Sequence, residues 1–446
     1  MTKTTRTLAA FVHDCNELPE YVATEATRAF VNFIGCALGG AHHYAVDRTV
    51  KTALPFAEGA TATLLGRAER LGPLDAALVN CQASAAHAFD DTHLATVIHP
   101  AGPIAAPLLA EAERRPVTGA EFQIAFAIGI EVACRVGAML TVPPADAQLG
   151  WYMTSVAGPI GAAAGVSRIL GLSVQQTTWA LGLAAASSAG FRQTHGSMCT
   201  SLLPGHGARS GYWAALLAEQ DVTASDQTLE GVNGFAQMFA SSAHLSHATN
   251  RLGDHWEMLA NVAKPYPCGI VIHPILDGCL EIARLKGFDA SEITGIKLGV
   301  HPLCLTLTDR PNPPGNQLAQ VSLQHWAAAA LVRGRAGIPE GTDEVVQDPI
   351  IQSLSTLVDA QPTPSVGRDG AVVVVEMSDG TRHERRIEHG IGSLSRPMTD
   401  AELDAKFMDQ AQLSISDANA KELLAVCRQL PTLADVCLTL EAAPAF

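Results

Sequence analysis

Charge is scarce in this chain. Asp, Glu, Lys and Arg make up 16% of its 446 residues, against 48% hydrophobic residues. Such a composition, rich in Gly and Ala, predicts closely packed helices and an extensive subunit contact, hence a homo-oligomer. The length makes two domains the default. Positive charge is in especially short supply, with a formal net charge of −15. Nucleic acid or an anionic membrane would need a basic footprint, so neither is expected as a partner. Any small anionic substrate must be held by a local group of Lys, Arg, His and helix N-termini. The ten cysteines stand singly with no CxxC pair, which excludes a zinc ribbon or a disulfide scaffold and fits reduced thiols. No stretch of about 18 uncharged apolar residues could span a bilayer, and MTKTTRTLAAFVHDC lacks the apolar core of a signal peptide. A cytoplasmic protein is expected. GxxxxGK[ST] loops and HExxH helices are absent, and no apolar strand runs into GHGARSG at 205–211. The chemistry is therefore expected from side chains alone, with no cofactor and no metal.

What is there is helical periodicity. In LPEYVATEATRAFVNFIGCALGG, Pro19 suits a first turn, Val22, Ala26, Phe30 and Phe33 recur at helical spacing, and Gly39-Gly40 is a stop. Thr118 and Glu121 form a capping box ahead of a helix apolar nearly all round, whose interior charges Glu131 and Arg135 are four apart and can pair. Ser173 and Gln176 repeat the capping pattern, and GPIGAAAG reads as a surface where helices approach closely. After about residue 267 the texture changes: ITGIKLGVH alternates, and Asp379-Gly380 separates two strand-like runs, a hairpin signal. Helical periodicity resumes with a capping box at Thr399 and Glu402 and continues to Phe446, with Pro431 as a break. The fold class expected is mainly α: a large all-α domain from both chain ends (1–266 and 401–446), with a smaller α+β domain inserted at 267–400. A cleft between them is the default site.

The titratable groups gather in FDDTHLATVIHPAG, residues 89–102, between alanine-rich stretches. Asp90, Asp91, Thr92, His93 and His99 lie where one apolar helix ends and before another begins. Either aspartate could cap a helix. Carboxylate beside imidazole also gives a group whose proton affinity can be set near neutrality, as acid/base work requires.

AFDDTHLATVIHPAG, GIEVACRVG, the segment from GWYMTSVAGPIG to AAASSAGF, GHGARSGYWAALLAEQDVT, LEGVNGF, KPYPCGIVIH and SRPMTDAELDAKF resemble, in this order, the segments of the MmgE/PrpD family. The resemblance implies a large all-α domain with a smaller α+β domain, a homodimer, no organic cofactor, and chemistry at a carbon next to a carboxylate of a polycarboxylate. Family reactions include dehydration of 2-methylcitrate, decarboxylation of cis-aconitate and epimerisation of iminodisuccinate. Carried over residue by residue, it implies catalytic roles for Asp91, His99 and Lys264, with Thr92 beside the substrate. Tyr266 and His325 fall at family contact positions, His325 where tyrosine is usual. The chain departs from the pattern at Ala88, usually aspartate, at Trp151-Tyr152, usually Phe-His, and at Cys199-Thr200, usually Thr-Lys.

A pocket changed at these positions is expected to run a reaction other than dehydration. Epimerisation needs only two acid/base groups flanking one carbon, and Tyr152 could serve if a cation such as Lys264 stabilised its phenolate. The expectation is an isomerase: a cofactor-independent epimerase of an amino-polycarboxylate such as iminodisuccinate, with Arg192 and His195 holding carboxylates. Cys199 and Cys268 offer an alternative thiol pair. The competing readings are a hydro-lyase or decarboxylase of a citrate- or aconitate-like acid, and a catalytically inactive ligand-binding protein on the same scaffold.

Overall fold

The computed structural model describes residues 3–147 and 150–442, and the chain is mainly α. The helices used below are α1 (Glu20–Gly40), α2 (Pro73–Ala85), α3 (Ala101–Ala112), α4 (Gly119–Thr141), α5 (Met153–Leu170), α6 (Val174–Ala186) and α7 (Cys199–Glu219). Local chemistry sets their starts. Thr118 and Glu121 exchange side-chain-to-backbone bonds ahead of α4, as Ser173 and Gln176 do ahead of α6, and Pro19 immediately precedes α1. Small residues then let the helices touch. A Cβ on Gly161 of α5 would sit 2.6 Å from the Gly129 carbonyl of α4, and one on Gly211 of α7 would sit 2.2 Å from the Pro159 carbonyl of α5. GPIGAAAG is thus a crossing surface on both sides, and GHGARSG is the middle of a helix.

Helix α4 is long and apolar enough to cross a membrane, but 89% of its most apolar 18-residue window is buried in the protein, so it is a core helix. Its buried Arg135 donates to Glu131 and to the carbonyls of Asn250 and His255. This gives both charges the partners that burial demands.

A second hydrophobic core forms from Cys268 to Val375. It joins two helices, α8 (His273–Ala283) and α9 (Leu323–Arg333), to a four-stranded sheet. The sheet runs β6 (Arg382–Ile387), β5 (Ala371–Met377), β3 (Ile293–Val300), β4 (Val358–Pro362), with β3 and β4 parallel and the other pairs antiparallel. Asp379-Gly380 turns the β5–β6 hairpin, and Gly380 takes φ +85° there. Beyond it, the Thr399–Glu402 capping box opens α10 (Asp400–Ala411), which returns to the first core with Phe407 against Gly35 of α1. A helix over Asp417–Arg428 follows, with Pro431 in a 3-10 turn. The helical reading of the last four residues, 443–446, lies outside the described ones. The first core therefore draws on both chain ends, from Leu8 to Met258 and from Leu403 to Leu440. A two-residue antiparallel ladder between β1 (Thr92–His93) and β2 (Asn261–Val262) ties the loop after α2 to the segment leading into the second core.

Candidate active site

A cavity of about 140 Å³ opens where that ladder brings the two cores together. The end of α2 and the loop beyond it form one wall, Tyr152, Arg192, His195 and Thr200 another, and Ile270, Val271, Leu307 and Val321 of the second half the third. The loop after α2 turns sharply at Ala88, which takes φ +51°, a left-handed conformation uncommon for a residue with a Cβ. That turn aims the Ala88 carbonyl into the wall, where it accepts from Lys264 Nζ at 2.8 Å. Lys264 stands two residues beyond β2, is 2% exposed, and has a second contact at 3.2 Å with Asp90 Oδ1. An ammonium so buried needs both partners.

The extended chain at 90–92 alternates sides. Asp90 and Thr92 line the cavity, whereas Asp91 faces a separate groove of about 670 Å³ shared with Arg28 and Asn32. The Asp91 carboxylate accepts from the backbone N–H of Ala101, at 3.1 Å, and from Asn261, so it caps α3 and fastens the ladder. Burial, and then the neighbouring Asp90 carboxylate, push its pKa up to about 7. Of the two aspartates, Asp90 is the one on the wall of this cavity, and Asp91, expected there as a catalytic group, is not among its lining residues.

His99 follows at the far end of the same loop. Its Nδ1 lies 2.6 Å from the Asp91 carbonyl, which can only accept, so Nδ1 carries the hydrogen and Nε2 is the acceptor nitrogen. Thr92 Oγ1, 3.1 Å from the same Nδ1, and the 3.1 Å bond from the His99 backbone N–H to Thr154 Oγ1 fix the ring. Burial lowers the pKa against the opposing pull of Asp90, with Lys264 adding to the lowering, and the imidazole stays neutral at pH 7.

Tyr152 immediately precedes α5, held by a bond from its N–H to the Gly190 carbonyl. Its ring meets those of His195 and His99 edge-on, at centroid distances of 4.8 and 6.5 Å. Burial, with Asp90 nearby, raises the phenol well above its usual range. This is opposite to the lowering that a phenolate base needs, because the ring is buried and the adjacent charge is negative. Tyr152 at the cavity is a neutral hydrogen-bond donor. Arg192 and His195 come from a 3-10 turn, and burial lowers the His195 pKa to about 4 with Arg192 adding to it.

The structure does not bring the other expected residues to the cavity wall. Tyr266 packs on the second core and donates from its hydroxyl to Asp277 at 2.6 Å. His325 is buried on α9, with Nε2 2.9 Å from the Glu340 carbonyl, and does not line this cavity. The thiols do not form a pair at the cavity: Cys268 is buried with a raised pKa, and Cys199 borders a different groove. Sequence reasoning also passed over Lys406 of α10, a buried ammonium bonded to Asn32 Oδ1 and to the Phe89 carbonyl behind the site. The lysine-phenylalanine pair of DAKF, charged in an otherwise core-facing position, was its signal.

The MmgE/PrpD N-terminal domain model matches residues 6–248, and the MmgE/PrpD C-terminal domain model matches residues 266–430. A cis-aconitate decarboxylase of Mus musculus is 25% identical over 97% of this chain and 91% of its own length. One of Aspergillus terreus is 23% identical over 96% and 92%. A 2-methylcitrate dehydratase of Salmonella typhimurium is 28% identical over a segment covering 26% of each chain. These relatives are lyases, which overturns the expectation of an isomerase and of iminodisuccinate as the reference substrate. With domain models matched along both halves, the chain belongs to the MmgE/PrpD family.

Proposed function

We propose that the protein is a cofactor-independent lyase that releases CO2 from an unsaturated polycarboxylic acid of the aconitate type. The observation that carries this reading is Lys264, a buried ammonium oriented by Ala88 and Asp90 beside neutral His99, at a cavity whose wall also includes the apolar side chains of Ile270, Val271, Leu307 and Val321. Relatives similar over nearly the whole chain bear the name cis-aconitate decarboxylase, whereas similarity to the dehydratase covers about a quarter of it.

In this reading Arg192 grips one carboxylate with its planar fork. The carboxylate that leaves lies against the apolar wall, where its charge is poorly stabilised and loss of CO2 relieves it. The electron pair of the breaking C–C bond forms the new C=C bond. The displaced π pair takes a proton from the Lys264 ammonium, which is then replaced from solvent. Thr92 and the Asp91 carbonyl orient His99, while Tyr152 and His195 offer further hydrogen bonds to the bound acid.

A second reading, dehydration, draws support from His99, whose Nε2 could take an α-proton while Lys264 protonates the departing hydroxyl. The two are separated by product. Unsaturated acids of the aconitate type should yield CO2 in the presence of the protein. Saturated hydroxy acids that instead give a new near-ultraviolet band without CO2 would establish the dehydration reading in its place.

A further inference from the structure

The charged groups on the cavity wall restrict what it can hold. Among the described residues lining it, two permanent cations, Lys264 and Arg192, stand against one carboxylate, Asp90, and Lys264 is in contact with that carboxylate. His99, His195 and Tyr152 complete the titratable set; burial lowers the proton affinity of both histidines and keeps the phenol protonated. The remaining wall carries no further charge: it combines hydrocarbon, chiefly Ile270, Val271, Leu307 and Val321, with the neutral polar side chains of Thr92, Ser201, Thr308, Gln317 and Gln320. Thr200 offers only a hydroxyl, already donated to the Thr194 carbonyl. Arg310 is near enough to Arg192 to lower its pKa, but it is exposed and does not line the cavity.

A carboxylate placed in such a site without a cation loses hydration that neutral hydrogen-bond donors replace only in part. One carboxylate can be anchored at Arg192. One more can be placed against the apolar wall, because its loss is the reaction. A third would be left to neutral donors, with neither a cation nor a departure to relieve its charge. We propose that the cavity selects an unsaturated dicarboxylate bearing an apolar arm over a tricarboxylate of the same skeleton. This rests on the decarboxylase reading for the placement of the leaving group.

The test compares cis-aconitate with the two dicarboxylates made by replacing one or the other non-leaving carboxylate with methyl. CO2 release is followed for the wild type and for Thr200→Lys, which adds a cation to the wall. Binding of the saturated tricarboxylate and methyl-dicarboxylate analogues to the wild type is measured by calorimetry, independently of turnover and of the folding of any variant. At least one dicarboxylate should exceed cis-aconitate in kcat/KM by roughly tenfold or more, with Thr200→Lys narrowing that ratio. The saturated dicarboxylate should also bind more tightly. A wild type that prefers the tricarboxylate in either measurement overturns the selectivity and leaves the decarboxylase reading standing. A wild type that binds the dicarboxylate preferentially but releases CO2 from none of the three overturns the decarboxylase reading alone.

Discussion

Two adjacent aspartates face different cavities, and substitutions should separate the roles proposed for them. Asp90→Asn removes the anionic partner of Lys264, and Lys264→Gln removes the proton donor; each should lower kcat, the latter by about 10²- to 10⁴-fold, with an unchanged circular dichroism spectrum. Asp91→Asn keeps an acceptor for the Ala101 N–H and should leave turnover within about tenfold of the wild type. Equal loss at both positions would contradict this division of roles. The pair was visible in the sequence, but which member faces the cavity depends on the extended backbone at 90–92, whose alternation turns on a ladder with a segment some 170 residues away. The expected lowering of the Tyr152 phenol fails for a related reason, since no sequence pattern reports how buried a phenol will be. Lys406 supplies a pH test. Its pKa in the folded protein is lowered to about 8 from 10.5, mainly by burial, so the unfolded chain binds the extra proton between those values. Stability from this group is therefore gained as pH rises through that window and is missing below it. Urea unfolding should show the wild type gaining up to about 3 kcal/mol on Lys406→Met between pH 8 and 10.5. A constant gap would contradict the burial argument.

Elements whose signals are local were legible. The capping boxes at Thr118, Ser173 and Thr399 need only four consecutive residues, and the Asp379-Gly380 hairpin needs only its turn and two flanking runs. The two-residue β1–β2 ladder carries no such signal, because pairs so short and so far apart in sequence are selected by the packing around them. Helix contacts fall between these cases: GPIGAAAG announced a close approach but not its partners. Those partners now make a specific prediction. A Cβ at position 211 would overlap the Pro159 carbonyl, and backbone cannot yield as a side-chain tip can. Gly211→Ala should destabilise the protein by about 1–3 kcal/mol, read as a lowered denaturation midpoint. An unchanged midpoint would show that α5 and α7 separate more readily than their packing implies.

At the scale of the whole molecule, the fold class could be read from the change of periodicity, but the cavity could not, since its wall is assembled from segments between Ala85 and Val321 that meet only once both cores are packed. His325 and Tyr266 show the limit: their sequence positions suggested substrate contact, and the second core absorbed them instead. A ligand seated between the cores binds the folded form alone. A dicarboxylate at 100 times its Kd should therefore add about 2.7 kcal/mol to stability and raise Tm, and Lys264→Gln should diminish that rise. The most direct test of the central claim, that Lys264 delivers a proton to carbon as CO2 leaves, is turnover of an unsaturated dicarboxylate in D2O with CO2 and product deuterium counted together. The account predicts one deuterium fixed on the product carbon for each CO2 released by the wild type, and both events slowed together by about 10²- to 10⁴-fold in Lys264→Gln. Deuterium entering recovered substrate without CO2, or CO2 release undiminished in Lys264→Gln, would contradict it.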